Sequence, residues 1–173
     1  MKYLNLRALG LFALFTFSFA PKEASFLLPP ETIILQGKVI GIMDGDTFDL
    51  LRGTEKLRVR LEGIDCPEKG QPFGNNAKQA LSSLCFGQQV RVEFKSKDRY
   101  GRALARAYLS DGRCINEEML RIGMAWHFKR YSDDARWARM EDVARRSKVG
   151  LWADARPVAP WDWRSQRRQR SNS

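Results

Sequence analysis

An alternation of apolar and polar residues between Glu31 and Phe94 constrains the fold of this chain more than any other feature. Three segments in this region keep a mostly two-residue period, which predicts β-strands with one buried face. The three segments are Ile33–Ile42, Thr47–Leu51 and Lys56–Leu61. The turn Asp44-Gly45-Asp46 separates the first two, and Arg52-Gly53-Thr54 predicts a tight hairpin because glycine accepts the positive φ of such turns. The pattern predicts an antiparallel meander.

The rest of the chain predicts further strands and three helices. The strands are Gln89–Lys95, Arg102–Leu109 and a short one around Cys114-Ile115. The helices are Asn75–Leu84, a second one capped by Asn116, and Asp133–Lys148, which ends before Gly150. We therefore predict an α+β domain over residues 33–155, a five-stranded barrel of the oligonucleotide-binding (OB) type with three α-helices.

The first twenty residues have the pattern of a secretory signal peptide. Lys2 and Arg7 form a basic start, and the apolar run Ala8–Ala20 follows. That run is shorter than the ~20 apolar residues of a membrane span. We expect cleavage near Ala20, a secreted or periplasmic mature protein without a membrane span, and a linker over residues 21–32.

The last part of the chain, residues 156–173, changes composition. It is rich in proline, tryptophan and arginine, and ends in the basic run Arg164–Arg170. We expect Trp161 and Trp163 to pack back onto the domain, and the last ten residues to be disordered.

The charge of the chain points to a polyanionic partner. Lysines and arginines number 30 against 20 aspartates and glutamates, a formal net charge of +10 with a pI near 9.9. Nucleic acid is the first candidate and an anionic membrane surface the second. The membrane is disfavoured because no basic helix has a broad Trp/Phe/Leu face. At this length we expect a monomer.

Cysteine and histidine usage disfavours a zinc site. The three cysteines, Cys66, Cys85 and Cys114, form no C-x-x-C pair, and His127 is the single histidine of the chain. An odd cysteine count in an exported chain leaves open one disulfide with a spare thiol, an intermolecular bridge, or no bridge.

Three separated motifs combine the residue types that phosphodiester chemistry requires. They are Asp44–Thr47 (DGDT), Arg60–Glu68 (RLEGIDCPE) and Asp98–Arg102 (DRYGR). Each motif alone is typical of an ordinary turn or loop. Together they supply carboxylates for a hard cation and arginines for a phosphate.

In this order, and with the segment Gly112–Gly123 (GRCINEEMLRIG) downstream, the motifs resemble the staphylococcal nuclease (thermonuclease) family. The resemblance extends over about Gln36–Trp152. It implies a secreted, calcium-dependent endonuclease that is non-specific for the sugar, cleaves DNA and RNA, and leaves 3′-phosphate ends. It also implies a five-stranded barrel with three helices.

The resemblance assigns a calcium site to three oxygen donors. They are the carboxylates of Asp46 and Asp65 and the backbone carbonyl of Cys66, with Asp44 just outside these ligands. Calcium prefers oxygen ligands, so the Cys66 thiol is not expected to bind it.

The resemblance also assigns the catalytic groups. Glu68 corresponds to the family's glutamate that orients or deprotonates the attacking water. Arg60 and Arg102 correspond to the two arginines that hold the phosphate, where their planar forks oppose the charge that builds at phosphorus. The implied reaction is in-line attack on phosphorus with departure of the 5′ oxygen.

Substrate contacts are expected from four further residues: Arg99, Tyr100, Lys129 and Tyr131. Arg99 and Tyr100 adjoin Arg102, and stacking of bases on an aromatic ring is tolerant of sequence. The relatives carry two tyrosines after the second helix, and this chain does not reproduce both. Trp126 and Phe128 are equally compatible with a place in the core and with contact to the substrate. We expect His127, the single histidine, to be exposed.

Two questions remain open from the resemblance. The family's fold brings Cys85 and Cys114 near each other, so a disulfide between them is one option. The main alternative function is a non-catalytic nucleic-acid-binding module of the same fold, in which the acidic and arginine positions have been lost. This chain retains Asp46, Arg60, Asp65, Glu68 and Arg102, which favours the enzyme.

Overall fold

A computed structural model describes residues 31–171 of the chain. The predicted signal peptide and nearly all of the predicted linker lie outside these residues. Within residues 31–171 no helix is both long and apolar enough to cross a membrane.

Five strands close into a barrel in the order β1-β2-β3-β6-β5, which confirms the predicted architecture. The barrel strands are β1 (Ile33–Ile42), β2 (Thr47–Arg52), β3 (Glu55–Leu61), β5 (Gln89–Lys97) and β6 (Ala103–Leu109). All neighbours are antiparallel except β3 and β6, which pair in parallel, with Arg60 opposite Leu104. Closure pairs every barrel strand on both sides and leaves no open sheet edge.

The barrel interior is filled by the apolar residues that the two-residue period places on one face. Val39, Phe48, Leu50, Val59 and Leu61 are all fully buried. The helices α1 (Gly74–Cys85), α2 (Ile115–Arg121) and α3 (Ala135–Arg146) pack around it, and they correspond to the three predicted helices. The core therefore forms where the sequence pattern indicates.

A second, two-stranded sheet lies beside the barrel and was not predicted. Its strands are β4 (Ile64–Asp65) and β7 (Trp126–His127), with Asp65 opposite Trp126. This pairing fixes an acidic residue of the second motif against the aromatic segment that follows α2.

Asn116 does not cap α2, so that prediction was wrong. The helix begins at Ile115 after Cys114, and Asn116 lies in its first turn with its side chain buried. Its Oδ1 accepts from the Ala107 N–H at 3.1 Å, and its Nδ2 donates to the carbonyls of Glu62 and Ala105. Asn116 therefore fastens α2 to the barrel wall. The predicted strand at Cys114-Ile115 is reduced to one bridge between Tyr108 and Cys114.

The described part of the C-terminal segment, up to Ser171, ends in a helix, contrary to the disorder expected for residues 164–173. After a short 3-10 helix at Gly150–Ala153, α4 extends over Pro160–Ser171. Proline suits the first helical position, and Arg168 and Arg170 suit the last turn, where cations offset the helix dipole. Trp161 stacks on Phe128 with ring centroids 5.1 Å apart, which confirms that this tryptophan packs back.

All three cysteines are free thiols. The Cys85 thiol donates to the Leu81 carbonyl at 3.2 Å, and the Cys114 thiol lies 3.7 Å from Asn116 Oδ1. The structure therefore contains no Cys85–Cys114 disulfide.

Gly123 is predicted to be a stability determinant. Its φ is +66°, and a Cβ there would lie 2.3 Å from the Val149 carbonyl oxygen. Gly112 has a φ of +87° but nothing within 4 Å of its would-be Cβ. We expect Gly112→Ala to cost about 1 kcal/mol from backbone strain alone, and Gly123→Ala about 3 kcal/mol because a clash is added. Urea unfolding measures both; equal losses would contradict the role of the close contact.

Candidate active site

The guanidinium of Arg60 brings the first two motifs together at one end of the barrel. Its Nε lies 3.0 Å from Asp46 Oδ1, and its Nη2 lies 3.0 Å from Asp65 Oδ1. Its Nη1 donates to the carbonyls of Leu61 at 2.6 Å and Ile64 at 2.9 Å. Arg60 therefore fixes two carboxylates that are nineteen residues apart in the chain.

The DGDT turn places Asp46 by backbone bonds and by close packing. The Asp46 carbonyl accepts from the Leu61 N–H at 2.8 Å, and Asp46 Oδ2 accepts from the Cys66 N–H at 2.9 Å. A Cβ at Gly45 would lie 2.7 Å from both Cys66 Cβ and Ala77 Cβ, so only glycine allows this approach. Asp44 Oδ1 accepts from the Asp46 N–H at 3.1 Å, so Asp44 lies beside the carboxylate pair as expected.

Asp46 and Asp65 are both buried, and this burial shapes the electrostatics of the site. Burial raises the pKa of Asp46 to about 7, because desolvation outweighs the attraction of Arg60 and the nearby Asp44 and Asp65 add repulsion. The single guanidinium of Arg60 therefore does not fully offset the negative charges of Asp44, Asp46 and Asp65.

The donor set fits a hard divalent cation that keeps water among its ligands. Among residues 31–171 no three His, Cys, Asp or Glu side chains are grouped to hold a metal ion. Asp46 and Asp65 supply carboxylate oxygens that Arg60 holds together, and the Cys66 carbonyl, the third donor expected from the sequence, follows Asp65 directly in the chain. Calcium and magnesium accept carboxylate, carbonyl and water oxygens, and a cation would also relieve the repulsion around Asp46.

The Cys66 side chain is a buried thiol. It donates to the Gly45 carbonyl at 3.2 Å, and burial raises the pKa of the thiol well above its ordinary value. The group therefore stays protonated at neutral pH, and a protonated thiol is a poor metal ligand.

Glu68 lies on the loop that follows Cys66, three residues after Asp65. Its backbone N–H donates to Gln71 Oε1 at 3.0 Å, and Gln71 Nε2 in turn donates to the Val158 carbonyl at 2.8 Å. Gln71 thus connects the Glu68 loop to the segment that leads into α4.

Arg164 on α4 is a site residue that the sequence analysis did not identify. Its Nη1 donates to Glu68 Oε1 at 2.5 Å, and its Nη2 donates to Asp65 Oδ2 at 2.7 Å. The available signal was the spacing from Trp161 to Arg164, which puts both on one face of a helix. That signal has meaning only once α4 is known to be helical.

The pairing of β6 with β3 places the Arg102 backbone near the site, but its guanidinium pairs with Asp98. Arg102 directly precedes Ala103, the first residue of β6. Ala103 pairs with Val59, the β3 residue that directly precedes Arg60. The Nε and Nη2 of Arg102 are each 2.8 Å from Asp98 Oδ2. Within the described part of the chain, no hydrogen bond or ion pair joins Arg102 to Asp46, Asp65 or Glu68.

The four expected substrate contacts are solvent-exposed. The Tyr100 and Tyr131 side chains are each 69% exposed. Arg99 Nη2 donates to the Tyr100 hydroxyl at 2.8 Å, and the Arg102 guanidinium lies 5.5 Å from the centre of the Tyr100 ring. Tyr131 packs edge-on against Phe128, and Lys129 lies 3.9 Å from the buried Glu141.

The residues between α2 and α3 divide between core and surface. Trp126 is buried and Phe128 is half-buried. The expectation of an exposed His127 was wrong: its ring is buried and lies 3.0 Å from the Ser132 hydroxyl. The reason is the β4–β7 pairing, which draws His127 against Ile64.

The sequence of the chain is similar to those of known nucleases. The sequence pattern of the family described as "Staphylococcal nuclease homologue" matches residues 58–154. A "Micrococcal nuclease" of Shigella flexneri is 42% identical over 153 residues, which cover 83% of this chain and 88% of the relative.

Two further relatives carry the name "Uncharacterized endonuclease". The protein from Escherichia coli O157:H7 is 39% identical over 133 residues, 77% of this chain and 87% of its own length. The protein from Haemophilus influenzae is 44% identical over 130 residues, 75% of this chain and 72% of its own length. With the barrel and the Arg60-centred site in place, these matches establish that the chain belongs to the staphylococcal nuclease family and has a nuclease function.

Proposed function

We propose that this nuclease is a calcium-dependent endonuclease that does not discriminate by sugar and hydrolyses DNA and RNA to leave 3′-phosphate ends. The observation that carries the proposal is the convergence of Asp46, Asp65 and Glu68 on two guanidinium groups at one end of the barrel. Carboxylates suited to a cation and a guanidinium suited to a phosphate thus lie together, which supports the proposal.

Calcium, when bound by Asp46, Asp65 and the Cys66 carbonyl, would supply charge stabilisation at phosphorus. Arg60 orients both carboxylates and adds its own charge next to the phosphate. Glu68 orients the attacking water and accepts its proton. Arg102 directly precedes β6, the strand next to the Arg60 strand β3. Its guanidinium separates from Asp98 and binds the phosphate. Its free fork could then hold two oxygens at once.

The surroundings of the site suit a long polyanion. Arg99 and Tyr100 present a cation and an exposed ring beside Arg102, and Lys129 and Tyr131 present a second cation and exposed ring in the segment after α2. Stacking and backbone attraction do not depend on base sequence. We propose that the mature chain acts as a monomer. We also propose a secreted or periplasmic location, because segment 1–20 has the pattern of a signal peptide.

A Glu68→Gln variant tests the catalytic assignment. With calcium present, we expect the wild-type chain to cleave single-stranded DNA, double-stranded DNA and RNA, and a chelator to abolish cleavage. Glu68→Gln should lose about 100-fold or more in kcat because it removes a general base. Glu62→Gln is the matched control, since Glu62 pairs with Arg106 on the surface and lies outside the site.

Full cleavage by Glu68→Gln would refute the role of Glu68. Tight nucleic-acid binding without cleavage under any divalent cation would establish the alternative, a non-catalytic binding module.

An Arg102→Lys variant tests the second arginine. The ammonium keeps the charge but loses the planar fork, so we expect the cleavage rate to fall about 100-fold to 1000-fold. Circular dichroism and thermal unfolding should stay close to wild type, because Arg102 is partly exposed and its side-chain contacts are with Asp98 and the exposed Tyr100 ring. Near-wild-type cleavage by this variant would contradict the assignment.

A further inference from the structure

The C-terminal helix α4 inserts a cation of its own into the active site. The Arg164 guanidinium spans both acidic groups, with 2.7 Å to Asp65 Oδ2 and 2.5 Å to Glu68 Oε1, and 3.2 Å to Asp65 Oδ1. This fork uses both carboxylate oxygens of Asp65. The Arg164 side chain is only 34% exposed, although most other residues of α4 lie on the protein surface.

The position of Arg164 is built into the fold. Trp161, one helical turn earlier, stacks on Phe128 and packs edge-on against Trp126, whose backbone pairs with Asp65. A second attachment runs from Gln71, beside Glu68, to the Val158 carbonyl. Ala159 and Pro160, which enter the helix, are buried. The start of α4 is therefore fixed to the elements that carry Asp65 and Glu68.

These contacts bear directly on cation binding. A divalent cation would bind carboxylate oxygens at about 2.0–2.6 Å, and Arg164 already engages both oxygens of Asp65 at hydrogen-bond distance. Glu68 is likewise engaged where it would have to face water. The long arginine side chain can swing away while Trp161 stays in place, so opening the site does not require release of the helix.

We propose that Arg164 is a built-in competitor of the divalent cation, and that α4 thereby sets the cation concentration at which the nuclease becomes active. The inference rests on the proposed cation dependence. Helix α4 lies beyond residues 58–154, the part that matches the family pattern. Arg164 therefore lies outside the part of the chain that the family pattern matches, whereas its partners Asp65 and Glu68 lie inside it.

The size of the effect follows from the competition. When the competent state is populated only in part, the apparent dissociation constant rises by the inverse of that fraction. The Arg164 guanidinium forms charge-assisted hydrogen bonds to both Asp65 and Glu68, so the state in which it has left these carboxylates is a minority. We therefore expect cation binding to be weakened about tenfold.

Calcium titration of the whole chain by isothermal calorimetry, without substrate, tests the proposal. Arg164→Gln should bind calcium about tenfold more tightly than wild type, and it should reach half-maximal cleavage at a correspondingly lower calcium concentration. Arg170→Gln is the matched control: it removes the same charge from an exposed position of α4 and should leave calcium affinity within about twofold of wild type.

Three outcomes would overturn the proposal, and each differs from the others. Equal calcium affinity of Arg164→Gln and wild type, with calcium-dependent cleavage intact, would refute the competition alone. A raised KM for DNA in Arg164→Gln, with calcium affinity unchanged, would make Arg164 a phosphate ligand. No calcium binding by any of the three proteins, with cleavage insensitive to chelator, would refute both this inference and the proposed function.

Discussion

The buried contacts of Arg60 are the interaction on which the rest of the site depends. One guanidinium holds Asp46 from the first turn, Asp65 from the small second sheet, and the carbonyls of Leu61 at the end of β3 and Ile64 in β4. Removal of one partner from a buried ion pair typically costs about 3–5 kcal/mol, since it leaves a charge unpaired. The contacts that order the site are thus also contacts that stabilise the end of the barrel.

This arrangement keeps negative charge close together at a buried location. Within residues 31–171, the ion pairs of Asp46, Asp65 and Glu68 are with Arg60 and Arg164, so with all three ionised this group holds one more negative than positive charge, and the nearby Asp44 adds another. The raised pKa of Asp46, about 7, is a consequence of burial within this cluster. An excess of negative charge of this kind favours an added cation, either a divalent metal ion or, more weakly, the single positive charge of the Arg164 guanidinium.

The sequence predicts the barrel and much of the site for identifiable reasons. The two-residue period gives β1, β2 and β3, and the glycines of the turns give their connections. Asp46, Arg60 and Asp65 lie in motifs close to strand ends, so closing the barrel brings them together. Glu68 follows Asp65 by three residues and is placed by the same loop.

What the sequence did not predict depends on contacts between distant segments. The β4–β7 pairing joins two-residue strands sixty residues apart, too short to show any period. Asn116 looked like a helix cap because its residue type favours that position, but its side chain binds the barrel wall instead. The composition of the arginine run in α4 predicts disorder, whereas the packing of Trp161 on Phe128 and Trp126 and the Gln71–Val158 hydrogen bond hold the start of the helix beside the site.

A crystal structure of the chain with calcium and a short DNA strand carrying an uncleavable phosphate linkage would test the central claim most directly. The account predicts a cation bound by Asp46, Asp65 and the Cys66 carbonyl, Arg60 and Arg102 on the phosphate, and Arg164 turned away from Asp65. Phosphate bound with no cation at these carboxylates, and Arg164 still joined to Asp65 and Glu68, would contradict it.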